Sequence, residues 1–360
     1  MQQPTREPGR RETAGREPAP LPSVDLAIVG AGPCGIGVGA AARKAGVSAV
    51  LFDKGPLCSS LVGYPPFTTF FSTSEKLEIE GLPFVTQQNS PTRREALTYY
   101  RGVTRFFDLS VRQYETVEAI ERGPGRGSGG FRLRTRRRTG AETIWQARAV
   151  VVVTGGFDAP NLLGVPGEDL PKVSHFYREA HPYWDQDVVV VGGRNSAVEA
   201  SLELFRVGAR VTLVHFGHDL DDGVKPWLLP DIRNRIKDGE VRARWRTRVV
   251  EILPDSVLLR DEDGGSIEAI PNDWVLALTG WKPDHQLLLS AGVPVDPKTG
   301  VPEHDPETME TPVPGLFIAG VLAAGYDANR IFIENGRFHG GTIIGRLRPG
   351  MAQGSETAQG

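Results

Sequence analysis

The sequence predicts an α/β protein built from two similar units. An apolar strand leads into a glycine-rich turn twice, over 24–29 and again over 187–191. After each turn come a helical stretch and a second strand, with the same spacing in both copies. Strands of alternating hydrophobicity then follow each unit. This order of elements predicts two Rossmann-like, three-layer dinucleotide-binding domains, each with a small antiparallel β layer.

Further strands and one helix complete the two units. After the first, the alternating segments 131–137 and 144–153 predict an antiparallel layer that runs into a buried strand. After the second, three segments repeat this pattern: 249–260, 266–270 and 274–279. Segment 311–320 then supplies a strand that returns to the first domain. Segment 329–345 supplies a helix beside the ligand site of that domain.

These elements predict that the second domain is inserted into the first. The first domain spans 23–165 and 280–347, and the second spans 166–279. The two ends, 1–22 and 348–360, are polar and poor in large apolar residues, so we expect disordered tails. Neither end has the hydrophobic stretch of a signal peptide.

Composition sets the class of protein. The 360 residues are 39% hydrophobic and 24% charged, as is usual for soluble globular proteins. A net charge of −3 gives no reason to expect nucleic acid or a membrane surface as partner. The apolar runs are too short for a membrane-spanning helix. Two cysteines predict no disulfide framework, no metal site and a reducing, cytoplasmic setting.

The first glycine loop has the pattern of a dinucleotide site. Gly30 allows the tight turn, Gly32 admits the phosphates, and Gly35 lets the helix pack on the strand. Asp53 follows Gly30 by 23 residues and stands where an acid accepts hydrogen bonds from the adenosine ribose. The alternative is an ordinary strand-to-helix turn with an exposed Asp.

The second loop is less regular. Gly192 and Gly193 are followed by Arg194, whose guanidinium can clamp phosphate oxygens. The second strand ends in His215 instead of an acid that would repel a 2′-phosphate. This favours NADPH, with NADH possible, and makes Arg194, His215 and His218 candidate phosphate partners. The alternative is that each is a solvated loop residue.

Two nucleotide domains in one chain describe a flavoprotein, with FAD in the first and the nicotinamide cofactor in the second. The segment around Tyr64 and Phe70 is rich in aromatic and hydroxyl side chains, as a flavin pocket would be. The other predicted cofactor-binding residues are Pro33, Cys34, Lys54, Phe71, Ser72, Thr73, Thr154, Gly155, Asn195, Ser196, Gly280, Gly320 and Ile331.

Several segments resemble a known family. GAGPCG, VVVTGGFDAPNLLGVPGE, VVVVGGRNSAVEAS, LTGWKPD and VPGLFIAG occur in the order typical of thioredoxin-reductase-like pyridine nucleotide disulfide oxidoreductases. Cys34 in the first loop, TTFFSTSEKLEIEGLPF, VKPWLLPDIRNRI and IFIENGRFHGG resemble the bacillithiol disulfide reductase (YpdA-type) family. The resemblance covers 24–346. It implies an FAD enzyme that uses NADPH to reduce bacillithiol disulfide, and a homodimer or higher homo-oligomer.

Two positions depart from the family pattern. Val321 follows the returning strand, where related flavoproteins usually have an Asp that holds the ribityl chain. Phe216 follows His215, where the family has an Arg.

No paired cysteines are available to pass electrons. There is no CxxC motif, and Gly63 stands five residues after Cys58, where a CxxxxC motif would place its second cysteine. Cys34 is the candidate nucleophile, because a helix N-terminus lowers a thiol pKa; the alternative is a small structural residue. Cys58 is expected to be buried and apolar. The remaining route is direct reaction of the disulfide at the flavin.

A candidate proton donor lies in the last predicted helix. His339 shares a face of that helix with Asn335, beside Glu334, and can protonate a departing thiolate. The alternative is a structural histidine. Trp227 is either part of the site or a core residue of the second domain.

Other functions remain open. His175, Phe176 and Tyr177 weakly resemble the linker fingerprint of flavin monooxygenases. A flavoprotein reductase of the ferredoxin or thioredoxin type is a further alternative, as is a nucleotide-binding module without turnover.

Overall fold

The computed structural model describes residues 21–123, 130–157, 159–327 and 329–356. Its first strands and helices are β1 Ser23–Val29, α1 Pro33–Lys44, β2 Ala49–Asp53, α2 Ser59–Gly63, α3 Arg93–Phe106, β3 Ser110–Gln113, β4 Glu115–Arg122, β5 Phe131–Arg137, β6 Glu142–Val152, β7 Ala159–Pro160 and β8 Val173–Ser174. They are followed by β9 Asp187–Val191, α4 Asn195–Val207, β10 Arg210–Val214, α5 Leu229–Lys237, β11 Val241–Arg244, β12 Thr247–Ile252, β13 Ser256–Asp261, β14 Ile267–Pro271 and β15 Trp274–Ala277. The last are β16 Trp281–Lys282, α6 Gln286–Ser290, β17 Leu316–Ile318, α7 Ile333–Gly336 and α8 His339–Glu356. Short 3₁₀ turns occur at Ser74–Leu77, His181–Tyr183 and Gly320–Ala324.

The first sheet has seven strands in the order β3-β2-β1-β6-β5-β4, with β17 beside β6. Strands β3, β2, β1, β6 and β17 are parallel, whereas β5 is antiparallel to both β6 and β4. Strand β6 serves both parts, because its first half pairs with β5 and its last three residues pair with β17. The returning strand and the antiparallel layer are thus confirmed.

The second sheet is parallel, in the order β11-β10-β9-β15-β8, and a separate antiparallel layer is formed by β12, β13 and β14. The predicted strand over 249–260 is wrong in one respect, because it is two strands joined by a turn at Leu253, Pro254 and Asp255. Proline cannot donate to a ladder, which favours a turn there. The two-domain α/β architecture, with the second domain inserted into the first, is confirmed.

The C-terminal helix differs from its prediction over 329–345. It is two helices, α7 and α8, separated at Arg337 and Phe338. Helix α8 then continues to Glu356, so the predicted tail from 348 begins inside a helix. The glycines and Pro349 in this stretch are weak helix formers, which is why the pattern predicted an earlier end. Residues 357–360, and 1–20 of the N-terminal tail, lie outside the described residues.

Helix α1 fixes the first glycine loop between the sheet and the C-terminal helices. It has Gly32 as N-cap, Pro33 in its first turn, and Arg43 and Lys44 in its last turn, an arrangement that suits both ends of a helix. Its middle residues are buried, and it packs closely on α8. In the described part of the chain, no helix combines the length and apolarity needed to span a membrane.

Candidate active site

A cleft of about 1710 Å³ runs between the two domains. Both glycine loops open into it, as do segment 59–72, the crossing at Gly280 and segment 329–333. Pockets for single small molecules usually have about 300–1,000 Å³, so this cleft has room for more than one ligand.

The structure brings almost all of the predicted site residues to this cleft. Those that line it are Gly30, Gly32, Pro33, Cys34, Gly35, Asp53, Lys54, Tyr64, Phe71, Ser72, Thr154, Gly155, Gly192, Gly193, Arg194, Asn195, Ser196, His215, Gly280, Gly320 and Ile331, together with Phe70. Thr73 and His339 do not line it. Thr73 instead stands at the N-cap of the 3₁₀ turn Ser74–Leu77, whose Lys76 N–H donates to the Thr73 carbonyl.

The three glycines of the first loop have different surroundings. Gly30 has φ +119°, and a Cβ there would lie 2.4 Å from the Val153 carbonyl oxygen. A Cβ at Gly35 would lie 2.1 Å from the Gly30 oxygen, whereas one at Gly32 would meet nothing within 4 Å. Gly30 and Gly35 are therefore required by the protein itself, and Gly32 borders open space at the N-terminus of α1. This is the arrangement that lets a pyrophosphate approach backbone N–H groups.

Asp53 is held at the end of β2 beside this loop. Its Oδ2 accepts the Ala31 N–H at 2.9 Å and its Oδ1 accepts the Gly55 N–H at 2.8 Å. These two bonds orient the carboxylate at the end of the strand. The carboxylate is half-buried and faces the cleft, which fits the predicted contact to ribose hydroxyls.

In the second loop, Gly192 has φ +148°, and a Cβ there would lie 2.6 Å from the Leu278 oxygen. Asn195, the first residue of α4, donates from Nδ2 to the Gly223 carbonyl at 3.1 Å. Its Oδ1 accepts the Lys225 N–H at 2.8 Å. This side chain therefore ties the segment around 223–225 to the glycine loop.

His215, a candidate phosphate partner from the sequence, lines the cleft but is buried. Only 5% of the residue is exposed, and its ring fills the space that a Cβ at Gly193 or Gly217 would need. Burial lowers the pKa of His215, so the imidazole is neutral at neutral pH. Its Nδ1 is buried and has no hydrogen-bond partner among the described residues. His218 is exposed and does not line the cleft.

Arg194 does line the cleft, and its Nε donates to Asp221 Oδ2 at 2.9 Å. The guanidinium is mostly exposed. Of the three predicted phosphate partners, Arg194 alone is a cation at the cleft surface.

The Cys34 thiol is packed against the C-terminal segments. A Cβ at Gly320 would lie 3.2 Å from the Cys34 Sγ, and one at Gly336 would lie 2.8 Å from it. Burial raises the pKa of Cys34 to about 12. This direction is opposite to the lowering expected from the helix N-terminus, because burial disfavours the charged thiolate. Cys58 is buried, as predicted, and burial raises its pKa too. Both thiols are free.

His339 supports the backbone instead of facing the cleft. Its Nδ1 accepts the Gly320 N–H at 3.1 Å, and burial lowers its pKa. An imidazolium could not accept this bond, so the bonded form is neutral with its proton on Nε2. Asn335 lies in a different helix, where its Oδ1 accepts the Phe332 N–H. The predicted shared helix face and the predicted proton donor are thus not supported by this geometry.

Glu334 fixes the segment that the sequence assigned to the flavin pocket. The Ser72 hydroxyl donates to the Glu334 carboxylate across 262 residues of chain. Arg337 Nη1 donates to the carbonyls of Glu75 and Glu78 at 2.8 and 2.6 Å. These contacts join α7 to segment 72–78.

Sequence reasoning missed a cation and aromatic cluster where the domains meet. Lys225 Nζ lies 2.7 Å from Glu199 Oε1 and 5.7 and 5.8 Å from the ring centroids of Phe71 and Trp227. Trp227 is 62% exposed and lines the cleft, so it is not a core residue. The VKPW segment, which contains both Lys225 and Trp227, was the sequence feature that could have indicated this cluster.

Arg248 was also missed. It lies on β12 and lines the cleft, with its Cζ 4.8 Å from the Phe216 ring centroid. Nothing in the local sequence marks it, because it reaches the site from a strand of the antiparallel layer.

Comparisons with known proteins agree with this geometry. The family model described as pyridine nucleotide-disulphide oxidoreductase matches residues 27–320. Bacilliredoxin reductase Bdr of Bacillus subtilis (strain 168) is 43% identical over 89% of this chain and 96% of its own. The structure of bacillithiol disulfide reductase Bdr (YpdA) from Bacillus cereus has 41% identity and a TM-score of 0.86, covering 90% of this chain and 98% of that one. The Staphylococcus aureus structure of the same name has 37% identity and a TM-score of 0.84, covering 91% and 98%.

The extent of these matches shows to which protein family the chain belongs. The family model spans most of it, and the relatives match along nearly their whole lengths. Membership implies a flavin and a nicotinamide nucleotide as cofactors in general terms, and both glycine loops fit such ligands. The chain is therefore an enzyme of the pyridine nucleotide-disulphide oxidoreductase family, in the same group as the Bdr proteins.

Proposed function

We propose that this protein uses FAD and NADPH to reduce the disulfide of a low-molecular-weight thiol, with bacillithiol disulfide as the substrate. The observation that carries the proposal is the single cleft into which both glycine loops open. The substrate rests on the similarity to the Bacillus cereus and Staphylococcus aureus reductases, whose names state it. The net reaction converts NADPH, one proton and one disulfide into NADP⁺ and two thiols.

Each of the two glycine loops would bind one of the two cofactors. Gly32, Asp53 and the first turn of α1 would hold the FAD pyrophosphate and ribose. Gly192, Gly193 and the first turn of α4 would hold the nicotinamide dinucleotide. Bound FAD would supply two-electron transfer from the nicotinamide to the disulfide.

The thiols of the chain allow two routes. In one, the Cys34 thiolate attacks a substrate sulfur and releases one thiolate, and two electrons and a proton then release the second thiol from the mixed disulfide. In the other, no protein sulfur forms a bond. The raised pKa of Cys34 disfavours the thiolate that the first route requires.

The first experiment is anaerobic NADPH oxidation by the purified FAD enzyme with bacillithiol disulfide. We expect steady turnover with two thiols formed per NADPH. Cys34→Ala and Cys34→Ser are measured beside the wild type. Loss of turnover in both, with normal flavin content, would assign a sulfur role to Cys34. Retained turnover would keep the function and discard that role.

The alternatives give different results in the same assay. A flavin monooxygenase would consume NADPH beyond one flavin equivalent only after air is admitted. A ferredoxin-type reductase would need a one-electron acceptor. The Bacillus subtilis relative is named for bacilliredoxin, so oxidised bacilliredoxin is the second substrate to add. Turnover with that protein alone would replace the small-disulfide proposal.

The remaining expectations also stand as proposals. We propose the domain boundaries 23–165 with 280–347 and 166–279, a homodimer or higher homo-oligomer, and a cytoplasmic setting. Size-exclusion chromatography with light scattering tests the oligomeric state.

A further inference from the structure

The end of strand β10 has an unusual arrangement of charge. Strands of this kind in NAD-binding domains end in an acid that binds the ribose 2′-hydroxyl. Here the strand is followed by the neutral, buried His215 and by Phe216. Neither residue supplies a positive charge, although the proposed cofactor NADPH carries a 2′-phosphate at this place.

A guanidinium reaches the same place from another strand. The Thr247 N–H donates to the His215 carbonyl at 3.1 Å, which fixes the start of β12 beside the end of β10. The next residue, Arg248, lies over the Phe216 ring at 4.8 Å and lines the cleft. We propose that Arg248, together with Arg194, forms the subsite for the 2′-phosphate of NADPH. This inference rests on the NADPH preference in the proposed function.

Each of the two arginines of the subsite is paired with a carboxylate. Arg248 Nε donates to Glu262 at 3.1 Å, and Arg260 Nη2 lies 3.5 Å from the other oxygen of that carboxylate. Arg194 pairs with Asp221. These pairs are about half-exposed and hence weak, so a phosphate dianion can compete for the guanidinium groups.

The bond of Arg248 to Glu262 uses Nε and leaves both Nη groups for a second acceptor. Arginine suits phosphate because its planar fork can donate two parallel hydrogen bonds. Arg248, Arg194 and His215 all line the same cleft. The cations of the subsite are therefore Arg248 on β12 and Arg194 in the second glycine loop. In the family pattern, an Arg at the position of Phe216 supplies the charge instead.

The test is a binding measurement without turnover. Dissociation constants of 2′,5′-ADP and 5′-AMP for the oxidised FAD enzyme are measured by calorimetry, because these ligands differ only in the 2′-phosphate. We expect the wild type to prefer 2′,5′-ADP. Arg248→Gln and Arg194→Gln should each lower this preference about tenfold or more, since hydrogen bonds to charged groups are strong. Arg248→Lys should lose less of the preference for 2′,5′-ADP, because it keeps the positive charge but not the planar guanidinium group.

Arg260→Gln is the matched control. Arg260 pairs in register with Arg248 on the neighbouring strand and shares Glu262 with it, but it does not line the cleft. In Arg260→Gln, the ratio of the dissociation constants of 5′-AMP and 2′,5′-ADP should stay within about twofold of the wild-type ratio. Flavin spectra and melting temperatures should match in all variants. A wild type without preference for 2′,5′-ADP would overturn the NADPH proposal itself. A wild-type preference that survives in Arg248→Gln would overturn only the assignment of Arg248.

Discussion

Glycines that look alike in the first loop differ in what they touch. Gly30 and Gly35 face backbone atoms at distances that exclude any side chain, whereas Gly32 borders the open cleft. Substitutions at Gly30 and Gly32 can therefore separate an effect on protein stability from an effect on ligand binding.

We predict that Gly32→Ala folds normally but binds FAD weakly, because the added methyl group occupies the path of the pyrophosphate. Gly30→Ala should lower the stability of the apoprotein instead, by about 2 kcal/mol or more, since it adds both a positive φ and a clash. Thermal unfolding of the apoproteins and fluorescence titration with FAD measure the two effects. Equal loss of stability in both variants would contradict this division.

The protonation state of Cys34 also belongs to the residue scale. Burial raises its pKa to about 12, above the value of about 8.5 for a free thiol. The folded state thus favours the thiol form, and its contribution to stability is complete below pH 8.5 and falls as the pH rises towards 12.

We predict that a thiol reagent labels Cys34 in the folded FAD enzyme slowly at pH 7. The rate should increase about tenfold for each pH unit up to pH 10, because the thiolate is the reactive form. Mass spectrometry after timed labelling identifies the site, and Cys34→Ser is the control. Rapid labelling at pH 7 would show that the sulfur is activated.

At the scale of elements, α8 packs against α1, the helix that follows the first glycine loop. A Cβ at Gly340 in α8 would lie 2.8 Å from the Gly37 carbonyl oxygen in α1. One residue later, a Cβ at Gly341 would meet nothing within 4 Å. The two positions form a natural matched pair.

We predict that Gly340→Ala destabilises the protein by about 1–3 kcal/mol, because α1 and α8 must separate. Gly341→Ala should stabilise it by about 0.5–1 kcal/mol through better helix propensity. Urea unfolding followed by circular dichroism measures both. If Gly340→Ala were as stable as Gly341→Ala, the close contact of α1 with α8 would be refuted.

Element prediction succeeded where the pattern was local. The bounds of β5 and β9 agree with the predicted segments, because apolar runs bounded by turn residues mark such strands. The division between α7 and α8 was not predictable from periodicity. Arg337, at this division, bonds to carbonyls of segment 75–78 far along the chain.

At the scale of the whole molecule, the insertion of one nucleotide domain into another creates the cleft. The chain crosses between domains twice, and these crossings pair as β7 and β16. Asn161 reinforces the pairing, since its N–H donates to the Gly280 carbonyl at 2.9 Å. Both glycine loops therefore open into one space.

The sequence by itself determined the two α/β units, their order and most of the residues that line the cleft. These follow from contiguous patterns: a strand, a glycine turn, a helix and a residue at fixed spacing. The tertiary structure alone decided that burial raises the pKa of Cys34, that His339 supports Gly320, and that Arg248 stands beside Phe216. Desolvation and charge depend on segments that are distant in the chain and adjacent only after folding, so local sequence could not reveal them.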